Sequence, residues 1–310
     1  MSVLVASDEL TARGGSRLAD WMRLLRLPNL FTVPGDPVAG LFLAGGGTLA
    51  AGIGARLAAV VGASLCLYSA GLILNDIMDV VLDRAERPDR PVASGRVSRA
   101  AAISAAVGLG AAALGLAALA GMLPLAAAGG VALLVIVYNC WARRVPALGF
   151  VVMGLCRGGS LLMGAALAPA IAPVALVAAA AETGYVTALT AAAAGETEGP
   201  PSALRRWAPP VVLAAGMTAA AVTCGGGAAG IAAALVALAA VGAVAHSMKP
   251  DVPAEAVPPM IGKLVRALIG VQAAFVLMGA GPARTAVCVA AALYATWPLS
   301  RWIGTRFRGS

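Results

Sequence analysis

Residues 75–83 read Asn75-Asp76-Ile77-Met78-Asp79-Val80-Val81-Leu82-Asp83, at the end of a long apolar run and just before the most charged stretch of the chain. On one continuous helix, at about 100° per residue, Asn75, Asp76, Asp79 and Asp83 fall within an arc of about 100°, while Ile77, Val80, Val81 and Leu82 cover the rest. Three carboxylates so close at the mouth of an apolar helix repel one another. A hard divalent cation such as Mg²⁺ relieves that repulsion, and Mg²⁺ is commonly held by one or two carboxylates together with substrate phosphates. These residues point to metal-assisted handling of a phosphorylated substrate; the alternative is a solvated helix end.

The elements that must position them are membrane helices. The chain has 310 residues, 60% hydrophobic and 12% charged, with a mean hydropathy of +0.90, the composition of an integral membrane protein. Its 38 glycines suit closely packed transmembrane helices. The net charge of +8 follows membrane topology rather than a nucleic-acid surface, and no nucleic-acid partner is expected. Cys66, Cys140, Cys156, Cys224 and Cys288 lie in or at the ends of apolar runs without a CxxC pair, and read as packing residues. The first twenty residues are polar, so no cleaved signal peptide is expected.

In chain order, residues 1–15 read as a tail, and residues 16–27, with Arg17, Arg23 and Arg26 among Trp21, Leu24, Leu25 and Leu27, suit a helix lying on the membrane surface. Apolar segments follow at 28–47, 56–79, 100–121, 122–141, 148–169, 170–193, 208–225, 227–246, 260–280 and 283–303, each near the length that spans a bilayer. Pro28, Pro34 and Pro37 break or kink the first. With ten spans and a cytoplasmic N-terminus, 19 of the 22 Lys and Arg residues fall on the inner side and only Arg56 and Arg284 outside, as the positive-inside rule requires. The expected organisation is a cytoplasmic tail and interfacial helix over 1–27, a transmembrane domain over 28–304 and a basic tail over 305–310. The fold class is an all-α polytopic bundle in a lipid bilayer, a prokaryotic inner membrane, with Asp76 and its neighbours facing the cytoplasm.

The acidic stretch, with Arg87-Pro88-Asp89-Arg90-Pro91-Val92-Ala93-Ser94-Gly95-Arg96-Val97-Ser98 after it and its place behind the second hydrophobic segment, resembles the first aspartate-rich motif of the UbiA superfamily of intramembrane prenyltransferases. The likeness in organisation runs from about residue 20 to about residue 280. It implies nine helices around a central cavity, so that a tenth would be an addition. Arg26-Leu27-Pro28-Asn29-Leu30-Phe31-Thr32 and Met153-Gly154-Leu155-Cys156-Arg157-Gly158 are similar to the EboC-like branch. The resemblance implies Mg²⁺-dependent ionisation of a prenyl diphosphate and transfer of the prenyl group to a small-molecule acceptor, an aromatic ring or a polyol or cyclitol. Asp76, Asp79 and Asp83 would hold the metal, with Asn75 assisting, and Arg87, Arg90 and Asn29 would serve the substrate.

The sequence departs from the family where its second motif is expected. There it holds Thr190-Ala191-Ala192-Ala193-Ala194-Gly195-Glu196-Thr197-Glu198, in which Glu196 and Glu198 would replace the usual aspartates and Glu198 would join the metal. Their spacing puts them on opposite sides of a helix, though they can converge in a loop. Arg143 and Arg144, after Tyr138, stand where the family often has a basic diphosphate ligand. Arg157 lies inside an apolar segment, where a charge is costly and usually functional, with Asp36 as its candidate partner. Glu182 and Tyr185, one turn apart, would line the cavity or bond a neighbouring helix. His246, the one histidine, precedes a loop and is not expected to be catalytic.

Three other functions compete for the same residues. Phosphatidyl transfer requires D-x-x-D-G-x-x-A-R, but Val80 follows Asp79 and no Ala-Arg stands at the required spacing. A transporter or lipid-binding protein for a polar head group would use the same carboxylates, yet the second half holds no inverted copy of the acidic motif. The third is a UbiA-like scaffold without activity. The topology is testable directly: in a Cys-free background, Cys at positions 90, 206 and 306 should react with a probe applied from the cytoplasmic side. Labelling of position 306 only from outside would mean nine spans.

Overall fold

The computed structural model describes residues 17–45, 52–225, 227–280 and 283–306. The expected tail over 1–15 and residues 307–310 of the basic tail lie outside them. Three short helices open the chain: α1 (Arg17–Leu24), α2 (Leu27–Leu30) and α3 (Gly35–Gly45). Next come α4 (Ile53–Met78), the short α5 (Val80–Glu86), α6 (Arg99–Ala120), α7 (Met122–Cys140), α8 (Pro146–Ala165), α9 (Pro173–Ala193), α10 (Ala203–Cys224), α11 (Ala228–Ser247), α12 (Val257–Ala280) and α13 (Arg284–Arg306). No strand occurs among the described residues. Eight helices, α4, α6 to α11 and the Ala254–Gly279 stretch that contains α12, are long and apolar enough to cross a bilayer. With α3, which is the longer helix of the broken first segment, and α13, the all-α bundle has the nine to ten helices expected.

Proline chemistry sets the first segment. Pro34 and its neighbours interrupt it between α2 and α3, because a proline donates no N–H and crowds the preceding turn. Carbonyls freed at such a break need other donors inside a membrane. The Thr32 carbonyl receives two: Arg157 Nη2 at 2.7 Å and Gln272 Nε2 at 2.7 Å. The break therefore ties α3 to α8 and α12.

Glycine lets these helices approach. A Cβ on Gly40 would stand 1.9 Å from the Leu161 carbonyl oxygen, and one on Gly164 would stand 1.8 Å from that of Pro37, so α3 and α8 cross backbone to backbone. Gly154 and Gly158, one small-xxx-small pair, bring α8 against the carbonyls of Thr183 and Ala179 on α9. One apolar core gathers α3 and α8 to α13, and a second joins α3, α4, α6, α7 and α8. A third, around Leu24, Ile73, Ile77, Val92 and Val97, seats α1 and the Arg-Pro loop on the end of α4. The segment expected on the membrane surface thus packs its Leu24 into the protein and buries Asp20, which pairs with Arg96 at 2.8 Å and Arg23 at 3.4 Å.

The close crossing is testable. Gly164→Val should lower the thermal midpoint in micelles by several degrees, since overpacking against backbone costs about 3 kcal/mol or more. Gly108→Ala, on a face with nothing within 4 Å, should leave the midpoint unchanged or raised. Equal effects from the two variants would contradict the packing described.

Candidate functional site

The carboxylates do not share one continuous helix face. Helix α4 ends at Met78, Asp79 takes φ −91° and ψ 4°, and α5 restarts at Val80. Past this break Arg90 Nη1 holds both oxygens of Asp83, at 3.1 and 2.9 Å, and lies 3.5 Å from Asp76 Oδ1. Asp76, Asp83 and Arg90 are all buried. Asp79 pairs with Nη1 of Arg143, from the turn between α7 and α8. Arg26 Nη2 comes within 4.0 Å of Asp76. Each aspartate of the motif is therefore neutralised by arginine, because close carboxylates in a low-dielectric setting require partners.

Arg26 is the residue that sequence reasoning left out of the site. It has φ 45° and ψ 54°, and among the described residues it alone combines positive φ with a side chain other than glycine. A left-handed conformation costs such a residue about 1 kcal/mol, and strain of this kind is retained where the surroundings hold it. Here it turns the guanidinium from the α1–α2 corner towards Asp76. The sequence marks Arg26 only as the first residue of the Arg26–Thr32 stretch, not as a partner of Asp76.

Two cavities meet at these residues. A groove of about 500 Å³ is lined by Arg26, Asn75, Asp79, Asp83, Glu86, Arg87, Arg90, Tyr138, Arg143 and Arg144 with Leu82. Below it, a mostly apolar cavity of about 130 Å³ lies between α4, α7 and α8. Arg26, Asn75 and Tyr138 line both. The apolar cavity descends past Leu67, Leu72, Val135 and Met153 to Ser64, Ser160 and Arg157. Ser64 is eleven residues below Asn75 on α4, a depth of about 16 Å at the helical rise.

The structure brings Asn75, Asp76, Asp79, Asp83, Arg87, Arg90, Tyr138, Arg143 and Arg144 together at the rim and places Arg157 at the deep end. Arg157 Nη2 lies 3.0 Å from Asp36 Oδ1. Asn29 interacts with Tyr68, a wall of the cavity. Tyr185 is elsewhere: fully buried, it donates to the Leu264 carbonyl at 2.8 Å and lines neither cavity. Its helix face is taken up by packing against α12. Glu196 and Glu198 lie in the turn after α9 and line neither cavity. Glu196 is half-buried; burial pushes its carboxyl above the usual range, while Arg87 and Arg26 pull it down, so it faces the rim arginines. Glu198 is exposed.

Among the described residues, no three His, Cys, Asp or Glu groups are gathered as a ready metal cage. The donors nevertheless suit Mg²⁺. Asp76, Asp79, Asp83 and Asn75 offer hard oxygens beside an open, arginine-rich groove, and Mg²⁺ takes one or two carboxylates with phosphates rather than an all-protein cage.

Comparisons with known proteins agree with this arrangement. A digeranylgeranylglyceryl phosphate synthase from Methanopyrus kandleri is 36% identical over 121 residues, 39% of this chain and 44% of that protein. The chain thus spans less than half the length of the curated relatives it matches. Among solved structures, one of a digeranylgeranylglyceryl phosphate synthase superposes with a TM-score of 0.63 at 15% identity, over 85% of this chain and 98% of that one. A UbiA homolog from Archaeoglobus fulgidus bound to DMAPP and Mg²⁺ superposes with a TM-score of 0.52 at 15% identity, over 82% and 99%. At such identities these likenesses show a shared fold. The profile of the UbiA prenyltransferase family matches residues 37–260, a stretch that runs from α3 into α12 and takes in nearly every element of the rim and cavity, and the chain belongs to that family.

Proposed function

We propose that the protein transfers a prenyl group from a prenyl diphosphate to a hydroxylated, polyol-type acceptor within the membrane, with Mg²⁺ as cofactor. The observation that carries this reading is the continuity of an arginine-lined groove with an apolar cavity, through Arg26, Asn75 and Tyr138. An amphipathic substrate with an anionic head and a hydrocarbon tail matches both parts. The relatives named digeranylgeranylglyceryl phosphate synthase support a polyol over an aromatic acceptor. The basic residues gathered at the rim side support an inner-membrane protein whose rim faces the cytoplasm.

In this reading Arg26, Arg87, Arg90, Arg143 and Arg144 bind the diphosphate, and Asp76, Asp79 and Asp83, assisted by Asn75, hold Mg²⁺. Mg²⁺ supplies positive charge against the leaving diphosphate as the allylic C–O bond breaks. Leu67, Leu72, Val135 and Met153 exclude water from the allylic carbon, so that the acceptor rather than water captures it. Tyr138, between groove and cavity, orients the junction of head and tail. Glu196, facing Arg87, stands in for the missing second motif, with Glu198 beside it in the same turn.

The pairing of these aspartates with arginine gives a specific expectation. Because arginines already neutralise all three aspartates, Mg²⁺ alone should bind weakly, and inorganic pyrophosphate, by drawing the arginines away, should tighten it about tenfold or more. Titration calorimetry of the purified protein with and without pyrophosphate measures this. Asp79→Ala should lower prenyl transfer by about 100-fold or more, as loss of a transition-state charge partner does, while the protein stays in the membrane. Near-normal turnover of Asp79→Ala, or a product mass showing no prenylated polyol from the wild type, would remove the reading.

A further inference from the structure

A second cluster of charged groups lies at the deep end of the cavity, away from the rim aspartates. Asp36 on α3, Arg157 on α8, Glu182 on α9 and Gln272 on α12 converge there, and Asp36, Glu182 and Gln272 are wholly inaccessible to solvent. Arg157 and Glu182 each lie eleven residues from the rim end of their helix, a depth of about 16 Å and so near the middle of a hydrocarbon core about 30 Å thick. The rim chemistry uses none of Asp36, Glu182 or Gln272.

The cluster is short of one positive charge. Asp36 and Glu182 are two carboxylates, and among the described residues Arg157 is the cation that bears on both. The other polar groups facing them are neutral: Gln272, Ser160 and, beside Asp36 and Arg157, the Tyr68 hydroxyl. An uncompensated carboxylate at this depth is costly.

The cluster is also short of donors. Arg157 Nη2 and Gln272 Nε2 are spent on the Thr32 carbonyl and Asp36 Oδ1. Four buried oxygens are left without a hydrogen-bond partner: Asp36 Oδ2, both Glu182 oxygens and Gln272 Oε1. Glu182 faces Asp36, so the Asp36 and Glu182 oxygens share one neighbourhood, while Gln272 Oε1 lies against Gly35. Buried polar atoms left unpaired call for an explanation such as an ion.

We propose that Asp36 and Glu182, with the Gln272 amide beside them, form a binding site for a single monovalent cation, a proton or Na⁺, in the core of the bundle. The charge count selects a monovalent ion, since a divalent one would leave an unbalanced positive charge in hydrocarbon. The all-oxygen donor set suits a hard cation. The ion enters from the cavity, whose wall residue Ser160 touches Asp36 and bonds Ser64 at 2.6 Å. Bound, it locks α3, α8, α9 and α12 together and fixes Arg157 at the cavity's deep end.

The site is tested on full-length protein in nanodiscs, without reference to prenyl transfer. Thermal unfolding is followed at varied NaCl, with choline chloride holding ionic strength constant, from neutral to alkaline pH. Asp36 and Glu182 are also probed by dicyclohexylcarbodiimide, which adds to a protonated carboxyl in an apolar setting, with adducts mapped by mass spectrometry. If Na⁺ is the ion, the midpoint rises by about 3 °C per tenfold in Na⁺ above the dissociation constant, and Na⁺ suppresses the adduct. If a proton is the ion, Na⁺ and choline behave alike, the midpoint falls as pH rises, and the adduct declines with it. Glu182→Gln should abolish either dependence. If that variant does not fold, the wild-type midpoints and adducts decide alone. A midpoint indifferent to Na⁺ and pH with no adduct on Asp36 or Glu182, or a dependence unchanged in folded Glu182→Gln, would overturn the proposal.

Discussion

Charge neutralisation across separate chain segments is the interaction on which the arrangement of the rim depends. Asp76, Asp79 and Asp83 cannot sit together at the end of an apolar helix as bare anions, and their ion-pair partners come from outside α4 and α5. Arg90 returns from the Arg-Pro loop, Arg143 from the α7–α8 turn and Arg26 from the α1–α2 corner. Each contact crosses between elements, so the pairs fix where the loops lie as well as how the aspartates are charged. The buried Asp83–Arg90 pair is the strongest of these constraints, because removing either partner leaves a charge with no water to receive it.

The same constraint acts at depth, with backbone as well as side chains. A proline-broken helix is tolerated in a membrane only where its freed carbonyls find donors. Arg157 and Gln272 serve the Thr32 carbonyl, and the glycine crossings at Gly40 and Gly164 between α3 and α8 and at Gly279 between α12 and α3 bring their helices near enough to do so. Small residues, a broken helix and a buried arginine are thus one device: remove the glycines and the arginine loses reach of the carbonyl it satisfies.

Much of this was legible in the sequence, and what was hidden has physical reasons. Helix positions came from apolar length, and the observed bounds fall within a few residues of those expected, since bilayer thickness leaves little choice. The one larger shift, the early start of α10 at Ala203, reflects the cap by Ser202, which apolar counting ignores. The rim residues stood out because carboxylates and arginines are conspicuous beside hydrocarbon. The break at Asp79 did not, since pairing of Asp83 with Arg90 overrides helical continuity. Arg26 takes part through a backbone conformation that its residue type disfavours. Gln272 sits in an unbroken apolar run, where one amide changes neither hydropathy nor period. Tyr185 shows the converse: a polar tip on an apolar helix marked a helix–helix bond, not a cavity wall.

Rim and deep end differ in what water can do for them. The rim arginines border an open groove, so their pairs with Asp76, Asp79 and Asp83 can be exchanged for a ligand's charges while solvent screens the intermediate arrangements. At the deep end no such exchange is available, because Asp36, Glu182 and Gln272 have no exposed surface. A charge imbalance there must be settled by an ion that reaches the cluster past Ser160, the cavity wall residue beside Asp36. The apolar stretch between them, about 16 Å along α4, separates the two centres: Arg157 pairs with Asp36 and not with a rim aspartate. Under the proposed function this separation has a use. Rim charges rearrange with each diphosphate that enters and leaves, and the deep cluster holds α3, α8, α9 and α12 in place while they do.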